Sequence, residues 1–577
     1  MHEIKLLFEY VNHQGRKKPL IFKKPHDIIA ANTIEEVLPC LEKVQVAIDK
    51  GFYAAGYISY EAAPAFDNAF NVHNHGNMPL MWFGIFEEPI VEKEQPTGDF
   101  HASEWKPSVS KDEFKKNIKK IKEYIANGDT KQVNYTLRFN AQFQGDAEAY
   151  YKQLAKAQTA NYAAYLNTGD FSILSASPEL FFHLNDGEIT TRPMKGTVKR
   201  GKSASEDLQL ADWLYHSEKN RNENRIIVDL LRNELGKIAE TGTIEVPRLF
   251  TIEQYPTVYQ MTSTVTAKVN KNLVDVFKAL FPCGSITGSP KMNTMNIINE
   301  LETSPRNVYC GTIGYITPNK EAIFNVPIRT VLINNQTGTA VYGVGGGITS
   351  DSTADEEYEE VLTKTKLLKE KQISFELLET FGLLDGNYIV YQNHMDRLRE
   401  SAAFFDFNFD YQAVQNELLM ISKQHPKGNY RVRLLVKKDG AFTTEVTTFR
   451  KKRETTARVS LAKQPIHKDN PFLYHKTTNR CIYEAFQKHH SNVYDVLLWN
   501  GAHEVTEFTR GNVVVELNGE LVTPPVTCGL LPGTFRRKLI EDGTIKERNV
   551  SIHDLKDCTR IWFINSVRQW VEVFLKE

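Results

Sequence analysis

The first half of the sequence is organised around the stretch Thr191-Arg192-Pro193-Met194-Lys195-Gly196-Thr197, in which one lysine stands between a proline and a glycine. Proline stiffens the backbone and glycine lets it turn, which predicts that Lys195 is held in a fixed loop. If Arg192 and a dry pocket wall disfavour the ammonium form, the amine becomes available as a nucleophile near neutral pH. On this stretch alone, a basic surface loop is the alternative.

A carboxylate precedes this lysine. Residues 171–181 read as a strand that contains Ser177-Pro178-Glu179, and the reversal at Asn185-Asp186-Gly187 indicates a hairpin. A hairpin would bring Glu179 close to Lys195 and so place an acid beside a nucleophile. The ordinary alternative for Glu179 is a solvated loop position.

Three glutamates on predicted helices are candidate metal ligands. Glu223 lies in the middle of a long helical pattern, and Glu357 and Glu360 fall on the same helix face as Lys364. Spacing alone is equally consistent with a solvent-exposed Glu223 and an ordinary i,i+4 surface pair between Glu360 and Lys364. If the carboxylates meet in a cleft, they suit a hard cation such as Mg²⁺.

Further segments have the composition of anion-binding sites. The loop at 284–291 is rich in glycine and hydroxyl groups and opens a helix, so its backbone N–H groups could hold a carboxylate. Arg329 lies among apolar residues in a strand pattern, where a guanidinium needs an anion. The glycine run at 342–348 does not match a dinucleotide or phosphate-loop fingerprint.

Composition limits the classes of protein that fit. A chain of 577 residues predicts two to four folding units, and a net charge of −1 gives no reason to propose nucleic acid or a membrane surface as partner. Without an apolar run of membrane-spanning length, we expect a cytoplasmic protein. The six scattered cysteines lack metal-site spacing and are interpreted as reduced packing residues.

The second half begins anew with a strand pattern at Phe375, directly after the charged helix, which predicts domains over 1–370 and 375–577. Lys476 is followed there by Thr477, Thr478, Asn479 and Arg480, an unusual setting for a lysine. Loops at 505–512, 528–534 and 563–568 are each weak signals, because loops rich in Thr, Gly and Ser commonly only cap helices.

Between residues 53 and 366 the sequence resembles the chorismate-utilising enzymes, in blocks that follow that family's order. The blocks are 177–181, 193–197, 223–235, 284–291, 328–330, 343–348 and the helix at 357–364. The resemblance implies an α+β fold with large antiparallel sheets flanked by helices. Within the family, Lys195 separates the members, because those similar to anthranilate synthase carry alanine there and aminodeoxychorismate synthase component I carries lysine.

The resemblance implies a mechanism for this half. Lys195 would attack C2 of chorismate while Glu179 acts as general acid on the departing C4 hydroxyl, and ammonia would then enter at C4 and expel the lysine. Glu223 and Glu360, together with Glu357, would hold Mg²⁺ against the ring carboxylate. The residues implied to hold the substrate are Gly196, Thr197, Tyr309, Arg329, Gly343, Val344, Gly345 and Lys364.

Two observations qualify the implied chemistry. Many relatives have a histidine where this chain has Gln260, and an amide cannot act as a base. The chain also contains no segment resembling a glutamine amidotransferase. Ammonia would therefore come from solution or from a separate glutamine amidotransferase subunit.

Residues 375–568 resemble the fold-type IV pyridoxal phosphate enzymes, in particular 4-amino-4-deoxychorismate lyase, which implies a second, α/β domain. Arg397, in His394-Met395-Asp396-Arg397-Leu398, matches the arginine that binds the cofactor phosphate, and Lys476 matches the lysine that carries the cofactor. Glu507 matches the carboxylate that keeps the pyridine nitrogen protonated, while Thr534 and Ser566 lie in the implied phosphate-binding turns. Free-standing relatives usually begin with an additional segment that this chain replaces with the helix of the first half.

The two resemblances together predict a fused enzyme that makes 4-aminobenzoate for folate synthesis. The nearest alternatives are a front half that forms anthranilate, which Lys195 opposes, and a rear half that is an aminotransferase of the same fold. A rear half that only binds ligands is opposed by the joint presence of Lys476, Glu507 and Arg397.

Overall fold

The computed structural model describes residues 3–11, 17, 19–91, 98–369, 374–450, 457–488 and 492–575. The chain divides into two compact units. The first unit contains Met1–Lys199 and Ala211–Gln372, and the second contains Arg200–Leu210 and Ile373–Glu577. The predicted domain boundary near 370–373 lies outside the described residues. No helix in the described ranges is long and apolar enough to cross a membrane.

The front part of the chain alternates short strands and helices. Its elements up to residue 199 are β1 (Lys5–Tyr10), β2 (Leu20–Lys23), β3 (Asp27–Ala31), α1 (Ile34–Asp49), β4 (Tyr53–Ile58), α2 (Ala63–Phe66), β5 (Met81–Phe86), β6 (Phe100–Ala102), β7 (Lys106–Pro107), α3 (Lys111–Ala126), β8 (Gln132–Gly145), α4 (Ala147–Gln158), β9 (Tyr162–Asn167), β10 (Phe171–Ser177), β11 (Leu180–Asn185), β12 (Glu188–Arg192) and β13 (Met194–Lys199). The following elements are α5 (Ala204–His216), α6 (Glu218–Leu235), β14 (Glu245–Gln254), β15 (Val258–Lys268), α7 (Leu273–Leu280), β16 (Gly288–Ser289), α8 (Lys291–Leu301), β17 (Thr312–Ile316), β18 (Ala322–Asn325), β19 (Thr330–Asn334), β20 (Thr339–Ile348) and α9 (Ala354–Thr365).

The first unit is built on two large sheets. One has the strand order β16-β8-β20-β19-β10-β9-β1-β2, with β6 and β7 paired to β8, and the other has the order β13-β15-β12-β11-β18-β17-β4-β5-β3, with β14 paired to β15. Phe8 and Ile173 of the first sheet pack in one buried cluster with Tyr57 and Trp82 of the second. The strand pairs in both sheets are antiparallel, which confirms the predicted α+β class.

The second unit combines a small sheet with a larger mixed one. Its elements after residue 373 are β21 (Leu377–Leu384), β22 (Asn387–Tyr388), α10 (Tyr391–Phe404), α11 (Tyr411–Gln424), β23 (Asn429–Val436), β24 (Phe442–Thr448), β25 (Ala457–Leu461), α12 (Cys481–Lys488), β26 (Asp495–Trp499), β27 (Val505–Phe508), β28 (Gly511–Leu517), β29 (Glu520–Thr523), α13 (Thr534–Glu541), β30 (Lys546–Glu547), β31 (Arg560–Asn565) and β32 (Gln569–Leu575). Strand β25 runs parallel to both β26 and β32, whereas the pairs of the small sheet are antiparallel.

The hairpin predicted ahead of Lys195 is confirmed. Asn185 pairs with Glu188, and both Asp186 and Gly187 adopt positive φ, which matches the twist of a two-residue hairpin turn. The expectation of a loop around Lys195 is wrong, because the lysine lies on β13, which pairs with β15. Gly196, at φ 86°, lies where the register between these strands shifts, so the glycine forms a bulge within a strand.

A buried ionic cluster connects β8 to the end of α8. The Glu302 carboxylate accepts hydrogen bonds from Arg138 Nη2 at 3.0 Å and from Arg306 Nη2 at 2.7 Å, and also from the backbone N–H and hydroxyl of Thr136. Glu302, Arg138 and Arg306 are all at most 5% exposed. One carboxylate therefore serves two guanidinium groups where water cannot reach them.

We expect Glu302→Ala to lower the free energy of unfolding by about 3–5 kcal/mol, because two buried guanidinium groups lose their anion. Calorimetry of the full chain would measure this as an earlier transition of the first unit. The matched control is Glu300→Ala on the same helix, whose exposed side chain pairs with Lys120 and Tyr124 and should contribute about 1 kcal/mol or less. Equal effects of the two substitutions would contradict the cluster's role.

Candidate active sites

The side chain of Lys195 is placed by the bulge in β13. Its amine donates to the backbone oxygen of Ser285 at 2.8 Å, in the glycine and hydroxyl rich loop that precedes α8. Burial lowers the pKa of Lys195 below its ordinary value, although the nearby carboxylates of Glu179 and Glu223 oppose this shift. The geometry thus increases the fraction of neutral amine near neutral pH.

Glu179 is buried in the same place. Its Oε1 accepts a hydrogen bond from the Ser285 hydroxyl at 2.7 Å, so Ser285 contacts Lys195 through its carbonyl and Glu179 through its side chain. Burial raises the pKa of Glu179, with Ser285 and Lys195 acting in the opposite direction. The expectation that the acid and the amine come together is confirmed, and the connection runs through a serine.

Two of the glutamates predicted as metal ligands surround a glycine of β20. A Cβ atom built on Gly346 would lie 3.1 Å from Glu357 Oε2 and 3.7 Å from Glu360 Oε1. Lys364 donates to Glu360 at 2.6 Å and to the backbone oxygen of Gly345 at 2.7 Å. Lys364 thus connects helix α9 to strand β20.

The three glutamates also share an electrostatic environment. Burial raises the pKa of Glu223, with repulsion from Glu360 adding to the shift, and burial raises the pKa of Glu357 to about 6. Lys364 holds the pKa of Glu360 below its ordinary value. Within the described ranges, no group of three or more acidic, histidine or cysteine side chains is arranged to hold a metal ion. The donor chemistry of these carboxylates suits a hard cation.

The remaining residues predicted to hold the substrate fall into two groups. Gly343 packs so closely on the Tyr309 ring that a Cβ atom would lie 2.3 Å from it, and Val344 and Gly345 continue along β20 opposite β8. Gly196 and Thr197 follow Lys195 on β13, where the Thr197 hydroxyl bonds the Gln260 side chain at 2.9 Å. Strand β13 carries Lys195 itself, and strand β20 lies near the Lys195 amine.

Arg329, which is predicted to bind a carboxylate of the substrate, lies directly before β19. Its guanidinium donates to the amide oxygen of Gln158, a neutral acceptor, and its φ is 53° at the start of β19. An amide oxygen satisfies a guanidinium hydrogen bond without supplying charge.

In the second unit, Lys476 is partly buried, and its backbone oxygen accepts from Leu378 N at 3.0 Å, beside strand β21. Burial, with Arg397 adding to it, lowers the pKa of the amine to about 8. Glu507 on β27 is also buried and accepts from the Tyr483 hydroxyl at 2.8 Å and from Leu531 N at 3.1 Å. Burial raises the pKa of Glu507 to about 8.

Arg397 forms a buried ionic cluster with Glu379 and His394. The Arg397 guanidinium donates to both oxygens of Glu379, at 2.8 and 2.7 Å, and His394 Nδ1 contacts Glu379 Oε2 at 2.6 Å. The third side of the guanidinium reaches the backbone oxygen of Pro532 at 3.2 Å. His394 Nε2 also lies 3.1 Å from the hydroxyl of Thr534, which begins helix α13.

One cavity of about 510 Å³ is lined by all five predicted cofactor residues, namely Arg397, Lys476, Glu507, Thr534 and Ser566. The groups that line this cavity have the chemistry needed to bind pyridoxal phosphate. A partly buried amine and a buried carboxyl group lie in the same cavity, and the backbone N–H groups at the start of α13 are suited to a phosphate.

The sequence matches known families in both units. The family model described as chorismate binding enzyme matches residues 4–370, well over half of the chain. The chain belongs to the chorismate-binding enzymes. The model described as amino-transferase class IV matches residues 376–574, so this chorismate-binding enzyme carries a second enzyme domain.

Similar proteins fall within the same family. Aminodeoxychorismate synthase component 1 from Escherichia coli (strain K12) is 38% identical over 304 residues, which is 52% of this chain and 65% of that protein. Anthranilate synthase component 1 from Methanothermobacter marburgensis is 32% identical over 352 residues, covering 56% of this chain and 76% of that protein. The chain thus spans less than two thirds of the Escherichia coli relative.

A solved structure shares the fold of the chorismate-binding unit. Anthranilate synthase component I from Streptococcus pneumoniae TIGR4 superposes with a TM-score of 0.50 at 26% identity, over 64% of this chain and 90% of that one. The agreement covers the unit that carries Lys195. It supports the α+β assignment reached from the strand pairing.

Sequence reasoning missed several residues that shape these sites. Ser285 lies in a loop whose backbone was singled out, but its side chain was not. Gln132 is fully buried, and its amide nitrogen lies 2.2 Å from a Cβ atom built on Gly347, near the Lys195 amine. Glu379 carried a usable signal, because a charged residue inside an apolar strand needs a buried partner.

The stability of the class IV unit should depend on pH through Glu379. Burial alone would raise the pKa of this carboxyl group, but Arg397 and His394 outweigh it and hold the pKa well below its ordinary value. The stabilisation is present above the unfolded pKa of about 4.3 and is lost as pH falls toward the folded value. We expect calorimetry of wild type to show this loss below about pH 4.5.

The matched variant is Glu379→Gln, which has no charge to titrate at this position. Its class IV unit should be less stable at neutral pH by about 3–5 kcal/mol and should lose less stability on acidification than wild type. Parallel acid destabilisation of both proteins would show that Glu379 is not the responsible group.

Proposed function

We propose that the chorismate-binding unit converts chorismate and ammonia to 4-amino-4-deoxychorismate, and that the class IV unit eliminates pyruvate from this product to give 4-aminobenzoate for folate synthesis. The observation that carries the proposal is the partly buried Lys195 amine, joined to Glu179 through Ser285. An amine and a carboxyl group with opposite pKa shifts are suited to act as nucleophile and acid.

In the first step, the Lys195 amine forms a bond to C2 of chorismate while the C4 hydroxyl leaves. Glu179 donates the proton that turns this hydroxyl into water, and burial of its carboxyl group favours the protonated form. Ammonia then bonds to C4 as the C2 bond to Lys195 breaks. The lysine is regenerated, so each turnover consumes one chorismate and one ammonia and releases one water.

Glu223, Glu357 and Glu360 would hold Mg²⁺ in this unit. Their carboxylate chemistry and their mutual electrostatic influence support this assignment. A bound divalent cation would shield the ring carboxylate of chorismate and help to orient the ring. Lys364, which now pairs with Glu360, would lie beside the same carboxylate.

The ammonia would come from solution or from a separate glutamine amidotransferase subunit. The first relative described above is named as a component 1, which supports the idea of a partner subunit. In this chain, the carboxylates of Glu179 and Glu223 lie near the Lys195 amine.

In the class IV unit, the phosphate of pyridoxal phosphate would be held by Arg397, Thr534 and Ser566. Glu507 would contact the ring nitrogen of the cofactor. The cofactor, when bound, supplies an electron sink for proton loss and elimination. Lys476 would remove the C4 proton of the substrate, for which an amine of pKa about 8 is suited. The Glu507 carboxylate, which lines the same cavity, would accept a hydrogen bond from the ring nitrogen and help to keep it protonated.

The positive charge of the cavity suits a substrate that carries two carboxylates. Arg431, Arg433 and Arg568 line it in addition to the predicted residues. Aminodeoxychorismate carries two carboxylates, and these guanidinium groups are complementary to them. An aminotransferase substrate with a single carboxylate would pair with fewer of these guanidinium groups.

We expect Lys195→Ala to reduce formation of 4-aminobenzoate from chorismate and ammonium by about a thousandfold or more, because the nucleophile is lost. Elimination of pyruvate from added aminodeoxychorismate should remain at the wild-type rate. Lys199→Ala, which changes an exposed lysine of the same strand, is the matched control and should leave both reactions intact. Undiminished amination by Lys195→Ala would exclude the covalent step.

Lys476→Ala should have the opposite effect. Chorismate and ammonium should still give aminodeoxychorismate, which accumulates because the proton at C4 is no longer removed. Liquid chromatography would detect the accumulating intermediate, with the exposed Lys463→Ala as the control variant. Formation of 4-aminobenzoate at the wild-type rate by Lys476→Ala would contradict the assignment of the class IV unit.

Removal of divalent cations should stop only the first reaction. With a chelator, consumption of chorismate should fall by about a hundredfold, and added Mg²⁺ should restore it. Elimination from added aminodeoxychorismate should be unaffected by the chelator. A first reaction that runs equally well without divalent cations would remove Glu223, Glu357 and Glu360 from the metal assignment.

A further inference from the structure

A short segment of the chorismate-binding sequence folds as part of the class IV unit. Residues 200–210 lie within the range matched by the chorismate binding enzyme family, yet they belong to the same compact unit as residues 373–577. Hydrogen bonds order the start of helix α5 within this segment. Ser203 and Glu206 cap the start of α5, through Glu206 N to Ser203 Oγ at 3.3 Å and Lys202 N to Glu206 Oε2 at 2.9 Å.

The centre of the segment is a buried ion pair between Arg200 and Asp207. Arg200 Nε and Nη2 donate to the two oxygens of Asp207 at 2.8 and 2.6 Å, and both side chains are 6% exposed. Gly201 N donates to Asp207 Oδ1 at 2.8 Å, and a Cβ atom on this glycine would lie 2.2 Å from Asp207 N. The geometry fixes the direction of the Arg200 guanidinium.

That guanidinium contacts the end of helix α10. It donates to the backbone oxygen of Phe404 at 2.8 Å and lies 4.6 Å above the Phe404 ring. A cation at a helix C-terminus compensates carbonyl groups that have no partner within the helix. The same helix carries Arg397, so Arg200 supports an element of the cofactor cavity.

The contact continues from Phe404 to the residue that precedes Lys476. The rings of Phe404 and His475 stack at 4.2 Å, and Ser401 of α10 lies 3.0 Å from His475 Nδ1. Burial lowers the pKa of His475 to about 4, so its ring stays neutral near neutral pH. Arg200, Phe404 and His475 therefore form a continuous stack that ends one residue before Lys476.

We propose that residues 200–210 support the cofactor site of the class IV unit, and that Arg200 is a positioning residue for Lys476, acting through Phe404 and His475. The inference rests on the proposed pyridoxal phosphate chemistry of this unit. Its consequence is that residues 373–577 alone lack the support that Arg200 gives to helix α10.

The test uses the full chain with Arg200→Met, which keeps the length of the side chain and removes its charge and hydrogen bonds. Affinity for pyridoxal phosphate, measured by fluorescence titration, should fall about tenfold, as expected for one lost buried charged contact. The kcat for elimination from added aminodeoxychorismate should fall by a larger factor than KM changes. Amination of chorismate should stay at the wild-type rate.

Two further variants separate positioning from general destabilisation. Arg200→Lys keeps the charge but loses the two-pronged contact, so it should recover part of the affinity and of kcat. Arg458→Met removes an exposed arginine from β25 of the same unit and should behave like wild type. If Arg200→Met does not fold, Asp207→Asn provides the same readouts, because it weakens the hold on the guanidinium.

The outcomes are distinct. Wild-type cofactor affinity and kcat in Arg200→Met would overturn the inference, even if its melting temperature falls, because the segment would then be only a structural support. A wild-type chain that binds no pyridoxal phosphate would overturn the proposed function of the class IV unit instead.

Discussion

Burial of a basic amine beside a buried carboxyl group is the constraint on which both candidate sites depend. Desolvation disfavours the charged form of each group, so it lowers the pKa of the amine and raises that of the acid. Lys195 and Glu179 show this pattern in the chorismate-binding unit, and Lys476 and Glu507 show it in the class IV unit. The rest of each unit holds these groups in place.

The two units meet this constraint with different scaffolds. In the chorismate-binding unit, strand β13 carries the amine, the connection between β10 and β11 carries the acid, and a bulge at Gly196 places the lysine beside the loop at Ser285. In the class IV unit, the ionic cluster of Glu379, Arg397 and His394 fixes one wall of the cavity, and β27 supplies Glu507.

Much of this arrangement was predictable from the sequence, because it depends on local signals. The turn at Asp186-Gly187 specified the hairpin, and the spacing of Glu357, Glu360 and Lys364 placed them on one helix face. Flanking Pro193 and Gly196 suggested a loop at Lys195, whereas pairing with β15 made it a bulged strand. The contact of Arg329 with Gln158 and the fold of residues 200–210 depend on residues distant in sequence, which no local pattern encodes.

The most direct measurement is the product balance of the purified chain supplied with chorismate, ammonium, Mg²⁺ and pyridoxal phosphate, without any keto acid. Two partly buried amines acting in sequence predict 4-aminobenzoate and pyruvate in equal amounts. Anthranilate as the aromatic product would contradict the assignment of the chorismate-binding unit. A requirement for a keto-acid acceptor would contradict the assignment of the class IV unit as a lyase.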